Sequence, residues 1–181
     1  MVAVGLFFLL ILAYAALTIV AYSVLYGISP MPSLGKAQIC MQQAIPQDVR
    51  GRIYDLGSGW GNLVVSLARS FPQCSVWGYE VSPIPRLFSK ALIAISGIPR
   101  AHIENGDFFK IPLNDATVVV CYLYPKAMAL LKEKFQRELA PGTWVVSNTF
   151  AVPGWKPYAV FQVDDLYLTK IYVYKIPLLC P

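Results

Sequence analysis

The chain has 181 residues, 56% of them hydrophobic and 14% charged, with a formal net charge of +5 and a pI near 9.0. That leaves room for one domain with an apolar attachment. The basic residues are dispersed with no Lys/Arg-rich run, so no nucleic-acid partner is expected, and Cys40, Cys74, Cys121 and Cys180 lack the Cys-x-x-Cys spacing of a metal site or a disulfide framework.

Residues 1–26 contain no charged side chain. As a helix they would extend about 39 Å, enough to cross a hydrocarbon core of about 30 Å. Ala13-Tyr14-Ala15 superficially resembles a signal-peptide cleavage site, but no basic stretch precedes it and the apolar run continues past it. Residues 1–26 therefore read as a transmembrane anchor, with Gly27, Pro30 and Pro32 breaking the chain at its exit. Every Lys and Arg follows, beginning at Lys36, which places the C-terminal part in the cytoplasm as a single-pass membrane protein. Net charge then fits a surface facing anionic headgroups.

Residues 27–50 read as a linker holding a short helix over 33–44, between membrane and domain, with Pro46 beyond its end. The domain proper is expected over 51–181. A strand is predicted over 51–56, a helix over 62–71 stopped by Pro72, a second strand over 75–79, and a helix over 83–96 with Pro near its first turn and Gly97 after its end. A short third strand follows at 101–104. The β-branched run Thr117-Val118-Val119-Val120 predicts a central strand over 116–122, buried on both faces. A helix over 125–139, a strand over 143–148 and a terminal antiparallel hairpin, 158–163 with 168–174 around Asp164-Asp165, complete the chain. This succession predicts an α/β doubly wound sheet that binds ligands at the carboxyl ends of its strands.

The first strand ends on Asp55-Leu56-Gly57-Ser58-Gly59-Trp60-Gly61-Asn62. Glycines at alternate positions let the backbone bend sharply and approach a ligand, while the N-terminus of the next helix offers free N–H groups, so the turn cradles a nucleotide-like cofactor. Asp-x-Gly-x-Gly-x-Gly resembles motif I of class I S-adenosylmethionine (SAM) methyltransferases, whose Rossmann-like sheet with a closing hairpin fits the element order. The resemblance implies SAM as cofactor, held by Asp55, Gly57, Ser58, Gly59 and Gly61. It also implies that Glu80, at the end of the second strand, binds the ribose hydroxyls, that Asp107 accepts from the adenine amine, and that Phe108 lies against the ring.

Gly78-Tyr79-Glu80-Val81-Ser82-Pro83, the stretch from Val118 to Pro125 with Met128 and Lys134, and Phe150 with Pro153-Gly154-Trp155-Lys156-Pro157 resemble the membrane-anchored protein-lysine methyltransferases of the ATP-synthase c-subunit and adenine-nucleotide-translocase type. Trp60 and Asn62 in motif I, and Tyr122-Leu123-Tyr124-Pro125 after the fourth strand, depart from that pattern. The acceptor implied is a lysine of a membrane-associated protein.

Methyl transfer needs a neutral nucleophile held in line, so positioning dominates. Tyr122 and Tyr124 alternate along an extended backbone and are candidates to flank an acceptor amine, and the Asn148 amide at the end of the fifth strand is a third. His102, the only histidine, opens the third strand away from the strand ends and reads as structural. Trp155 reads either as a lid over the acceptor or as an interfacial aromatic. A lipid or quinone-like acceptor, and a non-catalytic SAM-binding module tethered to the membrane, are the competing readings. Oligomeric state is not legible in the chain.

Overall fold

The computed structural model describes residues 35–177 and, before them, positions 4–7, 9–10, 13–14, 17–18 and 20–21, all helical. No helix among the described residues is long and apolar enough to cross a membrane. The expected anchor over 1–26, its exit at Gly27, Pro30 and Pro32, and the expected helix start at Ser33 lie largely outside the described residues.

The elements follow in the order α1 (Gly35–Gln43), β1 (Gly51–Leu56), α2 (Asn62–Ser70), β2 (Cys74–Tyr79), α3 (Pro83–Ser96), β3 (Ala101–Glu104), β4 (Ala116–Cys121), α4 (Pro125–Glu138), β5 (Trp144–Asn148), β6 (Ala159–Gln162) and β7 (Lys170–Lys175). They build one seven-stranded sheet of order β3-β2-β1-β4-β5-β7-β6. The first five strands are parallel; β7 runs antiparallel to both β5 and β6. The chain winds outward from β1 through β2 to β3, then returns to β4 on the other side of β1. The order therefore reverses between β1 and β4, where open α/β sheets bind their ligands.

Burial explains the strand chemistry. Val118 and Val120 face one apolar layer with Ile53, Val76 and Val146, covered by α1, α2 and part of α3, while Val119 and Cys121 face a second layer with Tyr54, Leu56 and Val145, covered by α4. A strand covered on both faces reads as an uninterrupted apolar run rather than an alternating one.

Two placements correct the expectations. Helix α1 is no spacer between membrane and domain: Ala37, Met41, Ile45 and Val49 are buried in the first layer, so the packed domain already includes residues assigned to a linker. Residues 149–158, between β5 and β6, run to the far end of the sheet. There Trp155 sits against Phe135 of the last part of α4 and Tyr174 of β7, with ring centroids 6.3 and 5.7 Å apart, and the Tyr174 hydroxyl accepts from the Val152 N–H at 2.9 Å. Leu139, Pro141 and Ile176 share its surroundings. These residues border the amino end of β5, so Trp155 is not a lid over an acceptor at the carboxyl end.

Candidate active site

The turn after β1 is built by glycines in the left-handed region, Gly57 at φ 79°, Gly59 at 52° and Gly61 at 80°, where a side chain would be strained. The Gly57 and Ser58 N–H groups both donate to the Tyr79 carbonyl, at 3.0 and 3.1 Å, which pins the turn to the end of β2. A Cβ on Gly61 would come within 2.6 Å of Ser89 Cβ on α3, whereas one on Gly59 would meet nothing within 4 Å. The turn is thus packed against α3 on one side and open on the other.

Two acids stand behind it. Glu80 is 1% exposed and accepts from two backbone donors, Gly59 N–H to Oε2 at 2.9 Å and Ser82 N–H to Oε1 at 2.7 Å. Its carboxylate therefore clamps the glycine turn to the chain leaving β2, a role additional to any ligand contact. Asp55, 3% exposed, has its carboxyl pushed up from 3.8 to about 7, first by burial and then by the Glu80 charge. Ser58 is buried too, and its Oγ has no hydrogen-bond partner among the described residues. A buried hydroxyl without a partner and paired acids beside an open glycine turn suit a cationic ligand rich in hydroxyls and N–H groups, as SAM is. The residues present fit that group.

Asp107 lies at the end of β3 with Oδ1 accepting from the Phe109 N–H at 3.0 Å, and its carboxylate is partly exposed beside Lys110. Phe108 differs from expectation. It is 2% exposed, packed into the second layer with Leu113 and against Phe109, so its ring serves packing rather than presenting an open face. His102 stacks on Trp77 at 4.2 Å near the amino end of the outer strand β3, away from the carboxyl ends of the strands.

The acceptor candidates separate. Tyr124 caps α4 and packs into the second layer. Tyr122 instead stacks on Phe150, centroids 6.4 Å apart and planes 15° from parallel, and lines a cavity of about 540 Å³ with Thr149 and the tip of the β6–β7 hairpin: Tyr167, Leu168, Thr169 and Lys170. The two tyrosines are therefore not a matched pair around one cavity. Asn148 is 2% exposed, its Oδ1 accepting from the Thr149 hydroxyl at 3.1 Å, so it stands behind the cavity wall.

Thr149 is the residue the sequence did not single out. Its φ is 66°, and the Phe150 N–H reaches back to the Asn148 carbonyl at 2.7 Å. That combination is a strained γ-turn, an outlier for a β-branched residue. It is held by the Thr149 N–H on the Lys170 carbonyl at 2.8 Å and by the Ser147 hydroxyl on the Phe150 carbonyl at 2.6 Å. Strain of this kind persists where the surroundings over-determine it, and it clusters at functional sites. Nothing in Asn-Thr-Phe announces it, because Thr is not a turn residue.

The ANTKMT methyltransferase domain matches residues 55–159. A protein-lysine N-methyltransferase of Saccharolobus islandicus is 36% identical over 126 residues, covering 68% of this chain and 78% of that protein. The adenine nucleotide translocase lysine N-methyltransferase of mouse is 32% identical over 124 residues, 61% of this chain and 48% of the mouse protein, so the chain spans about half of that relative's length. Among solved structures, an RNA methyltransferase from Salinibacter ruber in complex with S-adenosylhomocysteine superposes with a TM-score of 0.74 at 29% identity, covering 83% of this chain and 97% of that one. With SAM as its cofactor and its Rossmann-like sheet, the chain belongs to the ANTKMT methyltransferase domain family, whose relatives are SAM-dependent protein-lysine methyltransferases.

Proposed function

We propose that the chain methylates a lysine amine of a membrane-associated protein, with its N-terminal apolar segment holding the domain on the cytoplasmic side of a bilayer. The observation that carries the acceptor reading is the cavity between the end of β4 and the hairpin tip. It is lined by Tyr122, Thr149, Tyr167, Leu168 and Thr169, and Lys170 is its only charged lining residue among those described. A like charge nearby disfavours the protonated form of an incoming lysine, and the neutral amine is the nucleophile the reaction requires.

Bound SAM supplies an electrophilic methyl group on a sulfonium. The chain's own residues do the rest by positioning. Asp55, Ser58, Glu80 and the glycine turn hold the cofactor, and Asp107 meets the adenine end. Tyr122, fixed by stacking on Phe150, orients the acceptor, and Asn148 fixes Thr149 through its hydroxyl. Such positioning supplies most of what an in-line transfer needs.

A second reading draws on the Salinibacter ruber structure, which is named as an RNA methyltransferase: the face of Tyr122 would stack a base. The dispersed basic residues speak against it. Incubating the full chain with labelled SAM and host membranes, with and without RNA, separates the outcomes. Label in protein at lysine supports the proposal; label in lipid or RNA overturns it. Tyr122→Phe is expected to slow turnover with SAM affinity unchanged, and rates within about twofold of the parent would remove Tyr122 from the acceptor site.

A further inference from the structure

Helix α3 packs on the first apolar layer through Ile93 yet leaves much of its apolar surface in the open. Only Pro85 and Ser89 are buried along it, while Leu87 is 72% exposed, Phe88 51% and Ile95 85%. Ala91 and Ala94 are exposed as well, and with Leu87 and Ile95 they fall at helical spacings of three and four, which makes one continuous apolar stripe on the outside. At its upper end Phe88 meets Trp60 of the glycine turn edge to face, centroids 5.3 Å apart, which extends the apolar surface to the rim of the cofactor site.

The charges carried by α3 and by the turn that follows it have one sign. No Asp or Glu occurs from Ser82 to Ile103, whereas Arg86, Lys90 and Arg100 lie within that stretch. None of the three pairs with a carboxylate among the described residues; Arg86 reaches only the Asn105 side-chain carbonyl. An apolar helical face carrying aromatic and aliphatic side chains and edged by cations is the pattern of a helix lying in the interface of an anionic bilayer. A second copy packed α3 against α3 would set these cations against one another, since the helix carries no acid of its own.

We infer that the outer face of α3, with Trp60 at its end, is a docking surface for an anionic lipid bilayer, which lays the rim of the cofactor site against the headgroups. The surface rests on the membrane reading above but not on the anchor, since it is a second, peripheral contact made by the folded domain. Leu87, Phe88 and Ile95 enter the interface, and Lys90 and Arg100 meet lipid phosphates. Their contribution falls within a Debye length and weakens with salt.

The test uses the full chain in nanodiscs of phosphatidylcholine alone or with phosphatidylserine, each carrying a photoactivatable phospholipid, with crosslinks mapped by mass spectrometry. Crosslinks are expected over 87–95 in the anionic discs, falling about fivefold or more on Lys90→Glu, and on Leu87→Ser with Ile95→Ser. These positions are exposed, so the variants should keep the parent's melting temperature and SAM affinity. Crosslinks confined to the N-terminal segment in both discs would overturn the inference. So would hydrogen-exchange protection of α3 that is equal in detergent, as an intramolecular partner gives, or that follows protein concentration, as a second copy gives. Loss of α3 crosslinks with protein methylation intact would sink the docking surface alone; α3 crosslinks with label in RNA would sink the acceptor reading alone.

Discussion

Asp55 and Thr149 show what single residues give up for the site. The raised Asp55 carboxyl, at about 7 against 3.8, means that between those values the folded protein holds a proton the unfolded chain has lost. Its contribution to stability is therefore fully present below 3.8 and lost as pH rises through about 7, where the ionised form must be buried beside Glu80. A cationic cofactor reverses the preference by favouring the carboxylate. SAM affinity is thus expected to fall below pH 7 by at most about tenfold per unit, with proton release on binding, and Asp55→Asn should flatten that dependence. Calorimetry in buffers of different ionisation enthalpy reads the proton directly; a pH-independent affinity in the parent chain would refute the assignment. Thr149 stores strain instead of charge. Glycine adopts a positive φ freely, so Thr149→Gly should stabilise the protein by up to about 2 kcal/mol while slowing turnover and leaving SAM affinity unchanged. A thermal melt and a steady-state assay on the same protein check both halves, and a variant that melts earlier would show that the turn is not strained.

Elements were legible where the signal is local. Strand β1 over 51–56, helix α3 over 83–96 and strand β3 over 101–104 stand where composition and punctuation put them, because Pro83, Gly97 and the β-branched residues act within one or two turns of the chain. The glycine turn and Glu80 were legible through a motif. Helix α1 was misread because its short pattern does not tell which surface it meets, and the sheet face it covers is formed by strands more than a hundred residues later, Val146, Ile171 and Val173 among them. The course of 149–158 and the approach of the hairpin tip to Tyr122 are equally long-range and left no local trace. Burial of α1 makes a definite demand: Met41, fully buried, should cost about 2–5 kcal/mol when replaced by Ala, without a change in SAM affinity beyond what lost folding explains. Denaturant unfolding decides it. A loss below about 1 kcal/mol would return α1 to the status of a spacer.

Helix α1 enters the folded domain beside the β6–β7 hairpin. Lys36, in the first turn of α1, donates to the Asp164 backbone carbonyl at 2.5 Å and lies 3.4 Å from its carboxylate, so the entry of the N-terminal segment is tied to the hairpin whose tip lines the cavity with Tyr122. The pair is exposed and contributes little to stability. Its consequence is geometric: whatever holds the N-terminal segment also holds the mouth of the cavity close by. A chain beginning at Gly35 retains every buried residue of the two apolar layers, so it should fold and bind SAM with the affinity of the full chain. A chain beginning at Gly51 loses Ala37, Met41, Ile45 and Val49 and should not fold. With a membrane-resident acceptor, the shorter of the two folded proteins loses the effective concentration that tethering provides and should turn over more slowly by about 10²-fold or more. With a soluble lysine peptide the two should be equal. Rates measured on both acceptors separate tethering from catalysis; equal slowing on both would show that the N-terminal segment shapes the site itself, and equal rates on the membrane acceptor would show that it tethers nothing.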